Sequence, residues 1–297
     1  MNVYSELVAR LTPEPGYPWI PCLTWKRSKI RFYCPPSLSS LHVAILLLTT
    51  LAAAEPVPVR HVEGVTFGFL VLKNVNGEIL AHGELKQVVT PDDPVVMSDL
   101  QFRFKDGSFY REITKFTQKR VFRLVSDQVI EKGPSFKHDS ESWVDTGTGN
   151  VTVKTTEHGK EKSVTKHIDI PNDAANGLLF ILAKNLDPSA SETVVSMVAV
   201  SDKPRVVKLQ ITPAQEKTVH EGPLSYKAQH YVVHIRIPGA AGVVAPLVGK
   251  KPPDLQLWTL KSESPTFIEF EGPLGEDTPV WRIELAAPET GTPPTGK

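Results

Sequence analysis

Val65-Thr66-Phe67-Gly68-Phe69-Leu70-Val71-Leu72, with Asn76-Gly77 just beyond it and a return run over residues 78–89, is the stretch whose reading decides the fold. The first run is dense in β-branched and aromatic residues, which suit a pleated, half-buried surface. Asn-Gly tolerates the positive φ angles of a tight hairpin turn, so the chain goes out on one strand and returns on the next. The pattern continues downstream. Leu100, Phe102 and Phe104 alternate with Gln101, Arg103 and Lys105, which marks a strand with one wet face. Asp106-Gly107 turns the chain into residues 108–118, and residues 121–130 continue the meander. Val151 and Val153 alternate with Thr152 and Lys154, and His158-Gly159 turns into residues 160–170. Successive hairpins of this kind build an antiparallel sheet that curls over a core.

One segment breaks the rhythm. Asp169-Ile170-Pro171-Asn172-Asp173 leads into Leu178, Leu179, Ile181, Leu182 and Leu186, and Asp187-Pro188 follows. Asn172 or Asp173 can cap a helix and Asp-Pro can end it, so the spacing predicts one short helix at about 173–186. Strand-like runs resume at 193–200, 205–212, 226–237, 255–260, 267–271 and 280–285. The expected class is mainly β: an antiparallel meander forming an open or half-closed β-barrel, with the helix at its mouth or across its concave face.

This order, with its Asp-Ile-Pro-Asn-Asp entry to one helix, a late Leu255-Gln256-Leu257-Trp258-Thr259-Leu260 and a final Pro279-Val280-Trp281-Arg282-Ile283-Glu284-Leu285, resembles a family of exported bacterial β-rich proteins of unknown function. Asn176-Gly177-Leu178 stands where that family tends to carry an acidic residue and a proline. The resemblance spans about residues 65–285. It implies an open-barrel outline similar to periplasmic lipoprotein carriers, and it implies no activity.

Upstream lies a different kind of segment. Leu41-His42-Val43-Ala44-Ile45-Leu46-Leu47-Leu48-Thr49-Thr50-Leu51-Ala52-Ala53-Ala54 follows Lys26, Arg27, Lys29 and Arg31 and precedes Glu55-Pro56. Basic flank, short apolar core and small residues before a polar start are the parts of a secretory signal, with cleavage between Ala54 and Glu55. The run is shorter than the about 20 apolar residues of a spanning helix, so no stable transmembrane anchor is expected after cleavage. The expected organisation is an N-terminal extension at 1–40, in which the start site is misplaced upstream, then the signal core and cleavage region at 41–54. A β-rich exported domain follows at 55–287, and a disordered Pro-rich tail at 288–297. The expected location is periplasmic or extracellular; the alternative is a membrane tether formed by an uncleaved signal anchor.

Charge and chemistry exclude more than they assign. Lys plus Arg and Asp plus Glu each number 33, and the extension holds more basic than acidic residues, which leaves the exported part slightly negative. That gives no strong field for nucleic acid or for anionic membrane. Both cysteines, Cys22 and Cys34, precede the apolar core, so the exported part has no disulfide and no thiol chemistry. His230 and His234 sit in a strand pattern, which at about 3.3 Å per residue separates their attachment points by about 13 Å, too far to share a metal. Gly249-Lys250-Lys251 lacks the earlier glycine and the Ser or Thr of a phosphate loop. Glu269, Glu271, Glu276 and Asp277 read as wet loop and strand carboxylates. Lys115, Lys119, Arg120 and Arg123, with Phe116 and Phe122 between, read as a solvated strand face. No catalytic residue, metal ligand or cofactor is expected.

What remains is apolar excess. Phe67, Phe69, Phe102, Phe104, Leu178, Leu179 and Leu182 either line a shared cavity for a hydrophobic ligand or fill the core. The function expected is that of a non-enzymatic envelope protein binding a lipid or other hydrophobic ligand, or an envelope-assembly partner. The alternatives are a hydrolase acting on envelope polymer and a structural or adhesive module.

Overall fold

The computed structural model describes residues 54–89, 94–157, 159–221, 224–238, 252–275 and 277–286. The extension, the apolar run up to Ala53, the tail 288–297, Gly249-Lys250-Lys251 and Glu276 lie outside the described residues. Fourteen strands form one antiparallel sheet: β1 (Thr66–Lys73), β2 (Ile79–Val89), β3 (Val95–Phe104), β4 (Phe109–Gln118), β5 (Phe122–Lys132), β6 (Asp139–Asp145), β7 (Asn150–Glu157), β8 (Lys160–His167), β9 (Thr193–Ala199), β10 (Arg205–Glu221), β11 (Leu224–Arg236), β12 (Leu255–Leu260), β13 (Phe267–Gly272) and β14 (Trp281–Leu285). One helical turn, α1 (Leu179–Ala183), interrupts them.

The spatial order is β8-β7-β6-β5-β4-β3-β2-β1-β14-β13-β12-β11-β10-β9. The first eight strands therefore meander away from β1 on one side. The chain then crosses to the far edge, and β9 to β14 meander back until β14 pairs with β1, Leu70 opposite Leu285 and Leu72 opposite Ile283. The sheet does not close, so the molecule is a half-open barrel with β8 and β9 as its two edges.

The alternation seen in the sequence sets the inner face. In β3, Val96, Ser98, Leu100, Phe102 and Phe104 are buried and the residues between them are not. Inner residues of both meanders join one core with the crossing segment, of which Ala174, Ala175, Leu178, Ile181, Leu182 and Leu186 are buried. Leu178, 1 % exposed, is the kind of side chain whose burial is worth about 2–3 kcal/mol. Phe180 stacks on Phe267 with ring centroids 4.2 Å apart and tilts against Phe270 at 5.4 Å. The crossing segment thus plugs the concave face.

The helix is shorter than the pattern predicts. Residues 173–176, read as its first turn, make sheet-like bonds to β9 instead. Ala175 N donates to Ser196 O at 2.9 Å, Asn176 Nδ2 donates to Val198 O at 2.9 Å, and Val198 N donates to Asn176 Oδ1 at 2.9 Å. Asp173 accepts from the Ser196 hydroxyl at 2.7 Å rather than capping the helix, which starts after Leu178 without a side-chain cap. Paired edge backbone outcompetes a marginal helical turn.

The two ends of the barrel differ. At one end the segment after Ala54 lies over the mouth. Glu55 N donates to Val194 O, Phe122 N to Val57 O, and Val59 N to Arg120 O. This segment is fastened to the far side of the plug: Asn185 Oδ1 accepts from both Arg60 N (2.9 Å) and His61 N (2.7 Å). Glu63 Oε2 accepts from Lys184 Nζ at 2.7 Å and from Gln87 Nε2 at 2.9 Å. The other end remains open.

Candidate functional site

The open end holds a cleft of about 640 Å³. Three pieces surround it: the β5–β6 connection and the starts and ends of β6 to β8, the turn after β9, and the loop before β14. Its floor is apolar, with Phe136, Val153 and Val200, and Phe136 is anchored behind by Phe104 and Trp281 at centroid distances of 5.6 and 6.0 Å. Its rim is charged. Lys162 of β8 pairs with Asp202 beyond β9, the one recorded ion pair that joins the two edge regions of the sheet among the described residues. Lys137 Nζ stands 3.2 Å from Asp277 Oδ2, and His138 Nε2 stands 3.1 Å from Glu157 Oε1. β8 carries Lys160, Lys162 and Lys166 on an almost wholly exposed edge, the kind of charge that blocks strand-to-strand aggregation.

A row of acids leads inward from this cleft. β4 and β5 pair with Tyr110 opposite Glu131, Glu112 opposite Val129 and Thr114 opposite Asp127, and a bulge after Lys115 shifts the register beyond. Period-two alternation then places Tyr110, Glu112, Thr114, Asp127 and Glu131 on the inner face. Glu131 lines the cleft and accepts from the Ser140 hydroxyl at 3.0 Å. Burial raises its carboxyl above the usual glutamate value, the Ser140 bond opposes that, and the Asp277 charge adds to it. Deeper in, burial lifts Asp127 from 3.8 to about 7, with the Thr114 hydroxyl bond at 2.9 Å pulling the other way. Glu112 is pushed well up by burial and then by the charge of Asp127. Tyr110, 1 % exposed, is pushed up by burial and by its three acidic neighbours. Titratable groups displaced this far, ending in a cleft, mark a candidate functional site. The chemistry available is proton holding: Glu131 keeps its proton to higher pH than a free glutamate and faces the cleft.

Beneath the plug the described side chains pack closely. The space between Glu112, Thr114, Gly177 and Ile181 amounts to about 20 Å³, close to room for one water molecule. Of the residues expected to line an apolar cavity, Phe102, Phe104, Leu178 and Leu182 are buried in the core and Leu179 packs against it. Phe67 and Phe69 are not brought to them. They point to the opposite, convex face and are 55 % and 60 % exposed, because Leu70 and Leu72 take the inward positions of β1.

The remaining candidates are accounted for locally. His230 stacks on Trp258 at 4.4 Å with Nε2 2.7 Å from Gln256 Oε1, whereas His234 Nδ1 meets Asp254 at 2.8 Å, so each ring has its own partner. Glu269 pairs with Lys217 and Arg282, and Glu271 with Arg282. Among the described residues no group of three His, Cys, Asp or Glu side chains is arranged to hold a metal ion, and no helix is long and apolar enough to cross a membrane. Sequence reasoning passed over Glu112, Asp127 and Glu131. Their signal is an acid at an apolar position of an alternating strand: Glu112 falls in phase with Tyr110 and Phe116. No protein-family model, curated protein or solved structure matches this chain.

Proposed function

We propose that the chain is an exported, non-enzymatic binding protein whose ligand seats in the cleft at the open end of the barrel. The cleft carries this reading: about 640 Å³ falls inside the range of roughly 300–1,000 Å³ typical of small-molecule sites. An apolar floor of Phe136, Val153 and Val200 beneath a rim that mixes Lys137, Lys160 and Lys162 with Glu157, Glu161, Asp202 and Asp277 suits an amphiphile with a polar or zwitterionic head, such as a lipid fragment. The apolar run before Glu55 supports export. Native mass spectrometry of the protein purified from its own host tests the reading. A stoichiometric adduct lost in Val153→Lys supports it. Bare protein, together with no shift in melting temperature on adding zwitterionic or anionic amphiphiles, overturns it.

A second reading, a hydrolase of envelope polymer, is favoured by one observation: Glu131 faces the cleft with a raised carboxyl and feels the charge of Asp277. A residue of this kind suits general-acid protonation of a leaving oxygen. Release of soluble fragments from host envelope polymer, abolished in Glu131→Gln, supports this reading, and no release by the native protein removes it.

A further inference from the structure

The convex face opposite the core carries a second surface, at the end of the barrel away from the cleft. Phe67 and Phe69 project from it beside each other, ring centroids 4.9 Å apart and edge to face. Val65 and Val62, just before them in the chain, are 77 % and 75 % exposed. An aromatic pair left in water on a strand interior is unusual where the strand has a well-filled inner face, because the fold gains nothing from it.

The register places cations around this pair. Phe67 lies opposite Lys86 of β2, and Lys86 lies opposite Asp99 of β3. Met97, on the same face as Asp99, lies opposite Lys115 of β4, and Thr117, two residues on from Lys115, lies opposite Arg123 of β5. Residues directly opposite each other share a face, so Phe67, Phe69, Lys86, Lys115 and Arg123 all stand on the convex side. At about 4.8 Å per strand the patch spans roughly 19 Å from β1 to β5. Lys119 and Arg120 extend it at the hairpin tip and are exposed. Two carboxylates stand within it. Asp99 is held in a fork by Arg111 at 2.9 and 2.7 Å, and Glu84 accepts from Gln101. Lys86, Lys115, Lys119, Arg120 and Arg123 have no recorded ion pair among the described residues. The patch is thus apolar at one flank and strongly cationic across the rest, although the chain as a whole is neutral.

Exposed aromatics beside exposed lysines and arginines match the chemistry of an anionic lipid interface, where rings enter the headgroup boundary and cations meet phosphates. Nucleic acid is the other polyanion such charges could meet. Phe67 and Phe69 offer faces on which a base can stack. The exposed aliphatic Val62 and Val65 that precede them in the chain, however, add hydrocarbon surface that an acyl boundary buries and a nucleic acid leaves in water, which favours the lipid. We propose that this convex face docks the protein on an anionic phospholipid surface through Phe67 and Phe69, with Lys86, Lys115 and Arg123 contacting lipid phosphates. The inference stands apart from the cleft, which faces away from this end and stays free in the docked protein.

Co-sedimentation of the full chain with vesicles tests it, using phosphatidylcholine alone and phosphatidylcholine mixed with phosphatidylglycerol. Tighter binding to the mixed vesicles is expected, weakening as salt rises, since screening shortens the reach of exposed charges to about 10 Å at 0.1 M. Phe67→Ser/Phe69→Ser and Lys115→Glu/Arg123→Glu should each lower affinity for the mixed vesicles by roughly tenfold or more, with unchanged unfolding midpoints because these side chains are exposed. The apolar run at 41–54 is common to every variant, so differences between them report on the patch. Equal binding to both vesicle types, or variants that bind as tightly as the native chain, would overturn the proposal. Binding to a single-stranded oligonucleotide through the same residues, without vesicle binding, would overturn it as well.

Discussion

The Thr114 hydroxyl donates to Asp127 Oδ1 at 2.9 Å inside the sheet, and Gly177 of the plug rests directly on that bond. Gly177 has φ +65°, and a Cβ there would overlap the Thr114 hydroxyl and come within 2.7 Å of Asp127 Oδ1. Gly177→Ala combines left-handed strain with a clash against a buried pair, so a loss of about 3 kcal/mol is expected. Urea unfolding of the variant against the native chain measures it. The same substitution at Gly77, also at positive φ but with open space around it, should cost only about 1 kcal/mol.

Asp127 ties stability to pH. Its native carboxyl titrates near 7 and the unfolded one near 3.8, so between these values the native protein holds a proton that the unfolded chain releases. Stability therefore falls as pH rises from about 4 to about 7, with a slope of up to about 1.4 kcal/mol per pH unit for one proton, and levels off above. Glu112, raised for the same reason, acts in the same direction. Asp127→Asn retains an acceptor for Thr114 and should flatten the slope. Unfolding midpoints measured across this range that rise with pH would contradict the assignment.

Asn185 joins the plug to the mouth segment. It is 1 % exposed, takes two backbone N–H groups from Arg60 and His61, and donates to Ile181 O at 3.0 Å. Asn185→Ala leaves those groups without partners and should cost about 2–4 kcal/mol. Limited proteolysis gives a local readout: cleavage near residues 57–64 should appear in the variant before global unfolding.

Two lysine–carboxylate pairs of similar appearance should behave differently. Lys184 and Glu63 have side chains only 16 % and 5 % exposed, so Glu63→Ala strands a buried ammonium and should cost about 3 kcal/mol. Lys162 and Asp202 are 60 % and 54 % exposed, and Lys162→Ala should change stability by less than about 0.5 kcal/mol. Thermal denaturation of the two variants side by side separates the cases.

Glu55, the second of the described residues, donates its main-chain N–H to Val194 O at 3.2 Å. If export removes the preceding residues, N-terminal sequencing of protein from the host envelope should read Glu55-Pro56-Val57. A chain that retains Ala54 or residues before it would contradict cleavage there.

The strands were legible because their determinants are local. Asn76-Gly77 and Asp106-Gly107 each turn a hairpin, Gly159 lies at positive φ in the connection between β7 and β8, and the alternation from Leu100 to Phe104 is reproduced in the burial of β3. The extent of the helix was not legible, because residues 173–176 are held by Ser196 and Val198, partners some twenty residues away that local patterning does not show. The orientation of Phe67 and Phe69 escaped for a related reason. Their run is apolar on both faces, so periodicity does not say which face turns inward. The acids Glu112, Asp127 and Glu131 converge only when β4 and β5 are paired in their actual register, bulge included.

The pairing of β1 with β14 has a consequence for the order of events during biogenesis. Strands β1 to β8 can zip up from neighbouring hairpins as soon as they emerge, and β9 to β13 can do the same. The two halves become one sheet only when Trp281–Leu285, the last of the described strands in chain order, docks beside the first. Until then β1 is a bare edge, available to any extended segment that meets it. Closing so distant a pair is intrinsically slow, so the interval between synthesis of residue 73 and arrival of residue 281 is the period of greatest risk of misassembly. A chaperone that shields one strand edge during that interval would protect the whole molecule.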